Sequence, residues 1–164
     1  MDLYPWVVTG HVLFVILAFS AHGVNAFAMY RVKREPDRAR AAALLDESQF
    51  ALVIAGILLL LAIVLGIVAA VMGSHFSRSW PWVAIVVLVV SIGIMTPLAA
   101  NPLSRVRQAL GMPSRMDRRG IAPPAPVGDA EYAAVRARLQ PELVGALGIL
   151  AIAILVWLMV AKPF

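Results

Sequence analysis

The hydrophobic positions of this chain fall into four long blocks that are separated by polar segments. The blocks cover residues 3–30, 49–73, 82–100 and 142–161. About 20 mainly apolar residues make a helix long enough to cross a hydrocarbon core of about 30 Å. The pattern therefore predicts an all-α, polytopic membrane protein, with four transmembrane helices forming one bundle and one membrane domain over residues 1–164.

The composition supports the same class. Hydrophobic residues make up 62% of the chain and charged residues 14%, with a mean hydropathy of +0.87. A soluble domain is roughly 45–50% apolar and about 25% charged, so an ordinary soluble fold is excluded. The chain has no cysteine, which excludes a thiolate nucleophile and a cysteine-based metal site.

The basic residues predict the orientation. Of the 14 lysines and arginines, all but Arg78 and Lys162 lie in residues 31–48 and 101–141. The positive-inside rule makes these two segments cytoplasmic and places both termini outside. We expect the inner (plasma) membrane of a bacterial cell, with anionic lipid as a partner at the basic loops. We expect no binding to nucleic acid.

The connecting segments have distinct characters. The short turn at 74–80 predicts that the second and third helices are antiparallel neighbours. Residues 121–128 are proline-rich and predict an extended spacer. Residues 129–139 predict a short helix with Asp129 as its N-cap, either lying on the inner leaflet as an interfacial helix or linking through solvent.

Prolines and small residues predict details of the spans. Pro97 predicts a kink near the cytoplasmic end of the third helix, and Asn101-Pro102 predicts the end of that helix. Small residues recur at helical spacing and predict faces where helices pack closely. These residues are Ala62, Gly66 and Ala70 in the second helix, and Gly145, Gly148 and Ala151 in the fourth.

The first helix carries the only polar stripe inside an apolar block. At 100° per residue, His11, His22 and Asn25 fall within an arc of about 60°. Ala18 and Met29 lie on the same line. Polar residues inside a membrane are costly and tend to face the bundle interior, so this stripe is the candidate functional feature.

Three interpretations of the stripe stay open. In the first, each histidine is neutral and bonds to a backbone carbonyl or a facing polar group. In the second, His11 binds haem b near the outer face, with His75 or solvent opposite. In the third, the stripe is a proton or cation pathway in a small transporter, although the later helices supply no buried carboxylate to continue a relay.

No catalytic constellation accompanies the stripe. The sequence has no Ser–His–Asp order, paired carboxylates, glycine-rich phosphate loop or zinc-ligand spacing. We therefore name no catalytic residue and no metal ligand, and we expect a protein that is not an enzyme. Any chemistry would come from a bound cofactor.

Several short motifs resemble one family of membrane proteins. They are the first-helix segment starting at His11, the Ala21-His22-Gly23 triplet, the arginine-rich loop that follows, and the C-terminal segment from Leu158 to Lys162-Pro163. Together these resemble the four-helix membrane proteins grouped as DUF2269, over most of the chain. The function of that family is not established, so the resemblance implies the topology and little more.

The layout is also distantly similar to the copper-resistance D membrane proteins and to the haem-containing protoporphyrinogen oxidases of bacteria. Those proteins also begin with a helix bearing a histidine near its outer end, and His11 matches that position. This chain has no lysine in the body of a later helix and no second histidine well inside one. The resemblance therefore implies haem or metal binding and not the oxidase chemistry.

The resulting expectation is a non-enzymatic accessory or structural subunit. Its partners would be other membrane subunits or further copies of the chain. The alternatives are a b-haem protein in electron transfer or porphyrin chemistry, and a small transporter.

Overall fold

The computed structural model describes residues 2–114, 117 and 122–164. No strand occurs among them, which confirms the all-α class. The elements in chain order are α1 (Tyr4–Arg34), α2 (Arg38–Met72), a 3₁₀ turn (His75–Ser77), α3 (Trp80–Met95), a π turn (Thr96–Ala100), α4 (Asn101–Ala109), α5 (Asp129–Ala137) and α6 (Pro141–Ala161).

Four helical stretches are long and apolar enough to cross a membrane, as predicted. They run over Tyr4–Arg34, Arg38–Met72, Trp80–Ala109 and Asp129–Ala161, the last including α5 and α6. The basic segment at 31–48 is mostly helical and not a loop. Its turn occupies only residues 35–37, and the Asp37 carboxylate caps α2 by accepting a 2.9 Å hydrogen bond from the Arg40 backbone N–H.

The prediction that Asn101-Pro102 ends the third helix is wrong, because the helix continues through α4 to Ala109. The π turn makes this continuation feasible. Proline lacks the N–H that an α-helix needs at Pro97 and Pro102, and a wider turn relieves the mismatch. The Asn101 N–H bonds to the Thr96 carbonyl five residues back, so the ladder resumes. A kink was predicted at Pro97, and the structure has this π turn at that place.

The spans form two packed pairs. α2 lies antiparallel along the length of α1, α3 packs against α6, and α6 also touches α1. α2 scarcely contacts α3, so the prediction that these two helices are packed neighbours is wrong. A short turn brings only the adjoining ends of two helices close together. Whether the helices pack along their length depends on how well their side chains fit. Two of the small residues predicted to form a packing face of α2, Ala62 and Gly66, lie against His11 of α1.

A heptad pattern fixes the contact between α1 and α2. We call this contact the α1–α2 seam. Residues seven apart on each helix face each other across it, as in an antiparallel coiled coil. Two facing pairs are observed directly, His11 with Ala62 and Asn25 with Ser48. The same seven-residue spacing places Tyr4, Ala18 and Val32 of α1 opposite Ala69, Ala55 and Ala41 of α2. All of the α2 members are buried and small, so the two backbones approach closely.

The largest buried cluster lies at one end of the bundle, where the basic residues are. We call it the basic-end core. It joins the end of α1, the start of α2, α4, α5 and the start of α6. Its members are Met29, Val32, Ala41, Leu45, Val106, Ala109, Tyr132, Leu139 and Val144.

The short helix α5 belongs to this core. Tyr132 of α5, and Leu139 just after the end of this helix, are buried against other parts of the protein. The N-cap of α5 is Gly128, whereas Asp129 was predicted. The Asp129 carboxylate instead pairs with Arg38 at 2.7 Å, which ties α5 to the start of α2.

The end of the proline-rich spacer is folded back onto α4. The Val127 N–H donates a 3.0 Å bond to the Ala109 carbonyl, and Pro126 lies over Gly111. Gly111 has a φ of +73°, in the left-handed region that glycine adopts without strain. The first residue of the predicted spacer, Ile121, lies outside the described residues.

Candidate functional site

His11 lies in the α1–α2 seam and is bonded across it. Its Nδ1 is 2.8 Å from the Ala62 carbonyl oxygen. A carbonyl only accepts, so Nδ1 is the protonated nitrogen and donates this bond. The ring lies directly over Gly66, where an added Cβ would come within 2.9 Å of it. The glycine of the predicted small-residue face therefore makes room for the histidine.

Asn25 makes the second polar contact of the seam. The Ser48 hydroxyl donates a 2.6 Å hydrogen bond to the Asn25 side-chain oxygen Oδ1. Both residues are buried, with 8% and 4% of their surface exposed. The other end of the amide, Asn25 Nδ2, has no hydrogen-bond partner among the described residues. This orphaned donor is the most unusual polar atom of the seam.

The predicted stripe divides in the structure. His11 and Asn25 face α2, whereas His22 lies beside the seam and is only partly buried. Its ring makes no hydrogen bond to any residue that the structure describes. The 100° spacing placed the three residues on one side of α1, but the seam follows residues seven apart, and His22 does not belong to that series.

His75 lies at the opposite end of the bundle from the basic-end core. Its Nε2 is 2.9 Å from the Tyr4 hydroxyl, and its ring centroid is 5.4 Å from that of Trp80. The Lys162 ammonium lies 5.8 Å from the Trp80 ring centroid. We call these four residues the terminal cluster. It joins the start of α1, the start of α3 and the end of α6, so both termini lie at this end.

The environment of His75 disfavours its charged form. Partial burial lowers the pKa of His75 below its ordinary value, and the nearby positive charges of Lys162 and Arg78 lower it further. A neutral His75 is therefore the form that this cluster favours.

The two histidines proposed as haem ligands have different partners. His11 is bonded to Ala62, and His75 is bonded to Tyr4. Tyr4 and His11 are seven residues apart on α1, which is about 10 Å along the axis at 1.5 Å per residue. Within the described residues, no group of three or more His, Asp or Glu side chains is placed to hold a metal ion.

A small cavity opens beside Asn25, and sequence reasoning missed most of its lining. Its volume is about 50 Å³. The lining residues are Asn25, Leu45, Ser48, Gln49, Leu52, Ala100, Leu103, Ser104 and Arg107. The heptad series through Ala41, Ala55 and Ala62 would have placed Ser48 opposite Asn25. Nothing in the sequence indicated that α4 continues far enough to bring in Arg107.

Arg107 is the only charged residue of that lining. Its Nη1 is 2.9 Å from the Asp46 carboxylate, and its Nε donates a 2.7 Å bond to the Pro113 carbonyl. The Arg107 side chain is 11% exposed, against 64% for Asp46. The cation is therefore inside the protein, and its counter-charge is in solvent.

Comparison with known proteins adds no relative: no family model, curated protein or solved structure matches this chain.

Proposed function

We propose that this chain is a non-enzymatic accessory or structural subunit of the bacterial plasma membrane, with both termini outside. The observation that supports this proposal is the use of the polar side chains along the α1–α2 seam. His11 is bonded to Ala62, and Asn25 to Ser48. These groups hold two helices together, which is what a structural role requires of them.

The seam suits a rigid scaffold for a second reason. Its two polar contacts lie fourteen residues apart on each helix, at the same heptad position. A polar contact at a buried seam position penalises every shifted register, because a shift leaves its groups unpaired in an apolar setting. The hairpin of α1 and α2 is thus specified in one register over most of its length.

The outward surfaces of the spans are available to a partner subunit. Large apolar side chains on the outer surfaces of α2 and α3 are exposed. Leu60 and Val89, for example, are 61% and 62% exposed. α2 and α3 also scarcely pack on each other. In a membrane, such faces meet either lipid or another transmembrane helix.

Photo-crosslinking in native membranes tests the subunit role. A photoreactive residue is placed at Leu60 or Val89, and at the buried Leu158 as a matched control. We expect an adduct of discrete mass with another membrane protein, or with a second copy, from at least one exposed position. We expect only intramolecular adducts from the control. Adducts with lipid alone at every exposed position would contradict the proposal.

Haem b binding at His11 is a second candidate, and one observation favours it. Because Nδ1 donates to a carbonyl, a neutral His11 carries its lone pair on Nε2. Metal-binding histidines commonly use this arrangement, with one ring nitrogen oriented by a carbonyl and the other free to coordinate. His75 is bonded to Tyr4 about two turns away, so His11 would bind with an open opposite position.

The visible spectrum of the purified protein decides this candidate. Haem binding predicts a Soret band that is lost in His11→Ala and kept, at the same position, in His75→Ala. A colourless wild-type protein from cells with normal haem supply rules the candidate out.

Anionic lipid is the partner that we propose for the basic end. Along α1, Arg31 lies over the Phe27 ring at 5.8 Å and Arg34 over the Tyr30 ring at 4.2 Å. Arginines stacked on aromatic rings are held where phospholipid headgroups would meet them. Native mass spectrometry should find more retained phosphatidylglycerol than phosphatidylcholine, and this preference should fall when both arginines are replaced by glutamine. Equal retention of the two lipids would contradict it.

A further inference from the structure

The side of α1 that points away from α2 changes character towards the basic end. We call its last three turns the α1 exposed face. At 100° per residue, its members lie between about 140° and 240° from Asn25, which faces α2. Four of the five members are exposed, and Tyr30 is half-buried. They are Gly23, Phe27, Tyr30, Arg31 and Arg34.

Phe27 marks the depth at which this face leaves the hydrocarbon. It lies 21 residues after Trp6, which is about 32 Å along the helix at 1.5 Å per residue. The hydrocarbon core is about 30 Å thick. Trp6 and Phe27 are 73% and 60% exposed, as expected of side chains at its two boundaries. The arginines that follow Phe27 are therefore at the level of the lipid headgroups.

The two arginine side chains turn back towards the membrane. The Arg31 guanidinium is 5.8 Å from the centroid of the Phe27 ring, and that of Arg34 is 4.2 Å from the centroid of the Tyr30 ring. Each ring belongs to the residue four positions earlier, about 6 Å closer to the middle of the span. The stacking thus holds two neighbouring cations at the depth of the phosphates, because helical side chains point towards the N-terminus.

Arg31 and Arg34 also lack a carboxylate partner. Three other basic residues of this end each form an ion pair with a carboxylate. No carboxylate of the described residues lies within ion-pair distance of Arg31 or Arg34. Glu142 is close enough to Arg34 to attract it, but Lys33 already binds this carboxylate at 3.3 Å. The α1 exposed face therefore offers two cations to an anion from outside the chain.

Gly23 leaves space for an acyl chain one turn deeper. It lies four residues before Phe27, inside the hydrocarbon, and a Cβ added there would meet nothing within 4 Å. A hydrocarbon chain can approach the helix backbone at this point. We propose that one anionic phospholipid lies along the α1 exposed face, with its phosphate between Arg31 and Arg34 and one acyl chain over Gly23.

This proposal rests on the proposed preference of the basic end for anionic lipid and makes that preference specific. Net charge alone would attract a loose, exchanging layer of lipid. A lipid held by two cations and a notch would instead be retained at one molecule per chain. Phosphatidylglycerol suits the site, because it carries only an uncharged polyol beyond its phosphate. Phosphatidylcholine would bring an ammonium group next to the arginines.

Native mass spectrometry of the full chain tests the site. The protein is titrated with phosphatidylglycerol in detergent, and the bound lipids are counted. We expect one phosphatidylglycerol per chain to remain at activation energies that remove the others. Arg31→Gln combined with Arg34→Gln should weaken its affinity by about tenfold or more, since each basic residue near anionic lipid contributes about fivefold.

A second pair of arginines provides the matched control for charge. Arg40 and Arg105 are exposed, and neither forms an ion pair or a ring contact with the described residues. Arg40→Gln combined with Arg105→Gln removes the same charge and should leave the retained lipid in place.

Two glycine variants test the notch. Gly23→Leu fills the space for the acyl chain without changing any charge, and it should reduce the affinity for phosphatidylglycerol severalfold. Gly56→Leu is its control, because a Cβ at Gly56 on α2 also meets nothing within 4 Å. This variant should bind lipid as the wild type does.

Loss of the retained lipid in the Arg31 and Arg34 variant, with retention in the control, supports the site. Equal losses in the two double variants would overturn it, while a remaining overall preference for phosphatidylglycerol would leave the charge-based partner standing. A broad distribution without one retained lipid, displacement of the lipid by inorganic phosphate, or unchanged affinity in Gly23→Leu would also overturn it. Equal binding of phosphatidylglycerol and phosphatidylcholine by the wild type would contradict both proposals.

Discussion

The Ser48 hydroxyl donates a 2.6 Å hydrogen bond to the side-chain oxygen of Asn25, 23 residues earlier in the chain. The bond crosses the α1–α2 seam. The contact between His11 and Ala62 lies two heptads away on both helices. Two polar contacts at equivalent positions fix how α1 and α2 align, and four predictions test this alignment and the ends of the bundle.

Ser48→Ala should destabilise the protein by about 1 kcal/mol, because it leaves the buried Asn25 oxygen without a donor. Unfolding by denaturant in mixed micelles measures the loss. Ser20→Ala removes a serine hydroxyl from an exposed site and should change stability by less than about 0.5 kcal/mol. Asn25→Leu combined with Ser48→Ala should recover part of the loss, since neither polar group is then left buried. If Ser48→Ala and Ser20→Ala lowered the free energy of unfolding equally, the result would argue against a stabilising role for the bond between Ser48 and Asn25.

Gly66→Ala should destabilise the seam by roughly 1–3 kcal/mol through overpacking. The new Cβ would lie 2.9 Å from the His11 ring, which must leave the Ala62 carbonyl. Gly56 lies on the same helix with nothing within 4 Å of an added Cβ. Gly56→Ala should therefore be neutral or stabilising by up to about 1 kcal/mol from helix propensity. Thermal unfolding of both variants provides the comparison, and His11→Ala should reduce the effect of Gly66→Ala.

Acidification should weaken the terminal cluster through His75. Partial burial, Lys162 and Arg78 hold the pKa of His75 below its ordinary value of 6.5. The unfolded chain therefore takes up this proton at a higher pH than the folded chain. Stability is fully present above pH 6.5 and is lost as the pH falls from 6.5 towards the lower folded pKa.

The pH dependence of Tm measures this effect between pH 8 and pH 5. His75→Gln should flatten the part of the profile below pH 6.5, and the difference between the two profiles isolates His75 from the other histidines. Superimposable profiles would show that the Tyr4–His75 contact does not respond to protonation.

Reporter fusions test the orientation. Alkaline phosphatase joined after Phe164 should be active, because this terminus is proposed to lie outside, and a fusion in the turn at 35–37 should be inactive. A fluorescent protein that matures only in the cytoplasm should give the reverse pattern. Activity of phosphatase at 35–37 would overturn the topology and the positions proposed for anionic lipid.

The sequence predicted the spans well because their signal is local. An apolar block of sufficient length forms a helix in a membrane whatever its neighbours are, since each backbone group bonds within its own helix. The ends of the helices were predicted less well. The charges of residues 31–48 suggested a loop. Helix α1 nevertheless extends to Arg34 and helix α2 begins at Arg38, because the basic-end core packs around these helix ends.

The polar contacts were only half predictable. The periodicity of α1 singled out His11 and Asn25 as inward-facing, and both face α2. Their partners are a backbone carbonyl and a serine 51 and 23 residues away. Such pairs depend on the register of two helices, which no single helix contains.

By itself, the sequence determined that the chain has four apolar helices and that one of them carries polar residues on one side, since both properties follow from the spacing of residues along one segment. Only the tertiary structure decided that α2 packs on α1 and hardly touches α3, that α4 continues the third span through two prolines, and that Arg107 and Asn25 line the same cavity. Those features depend on close approach between distant segments. There, small side chains, a widened helical turn and the need of buried polar atoms for partners select one arrangement.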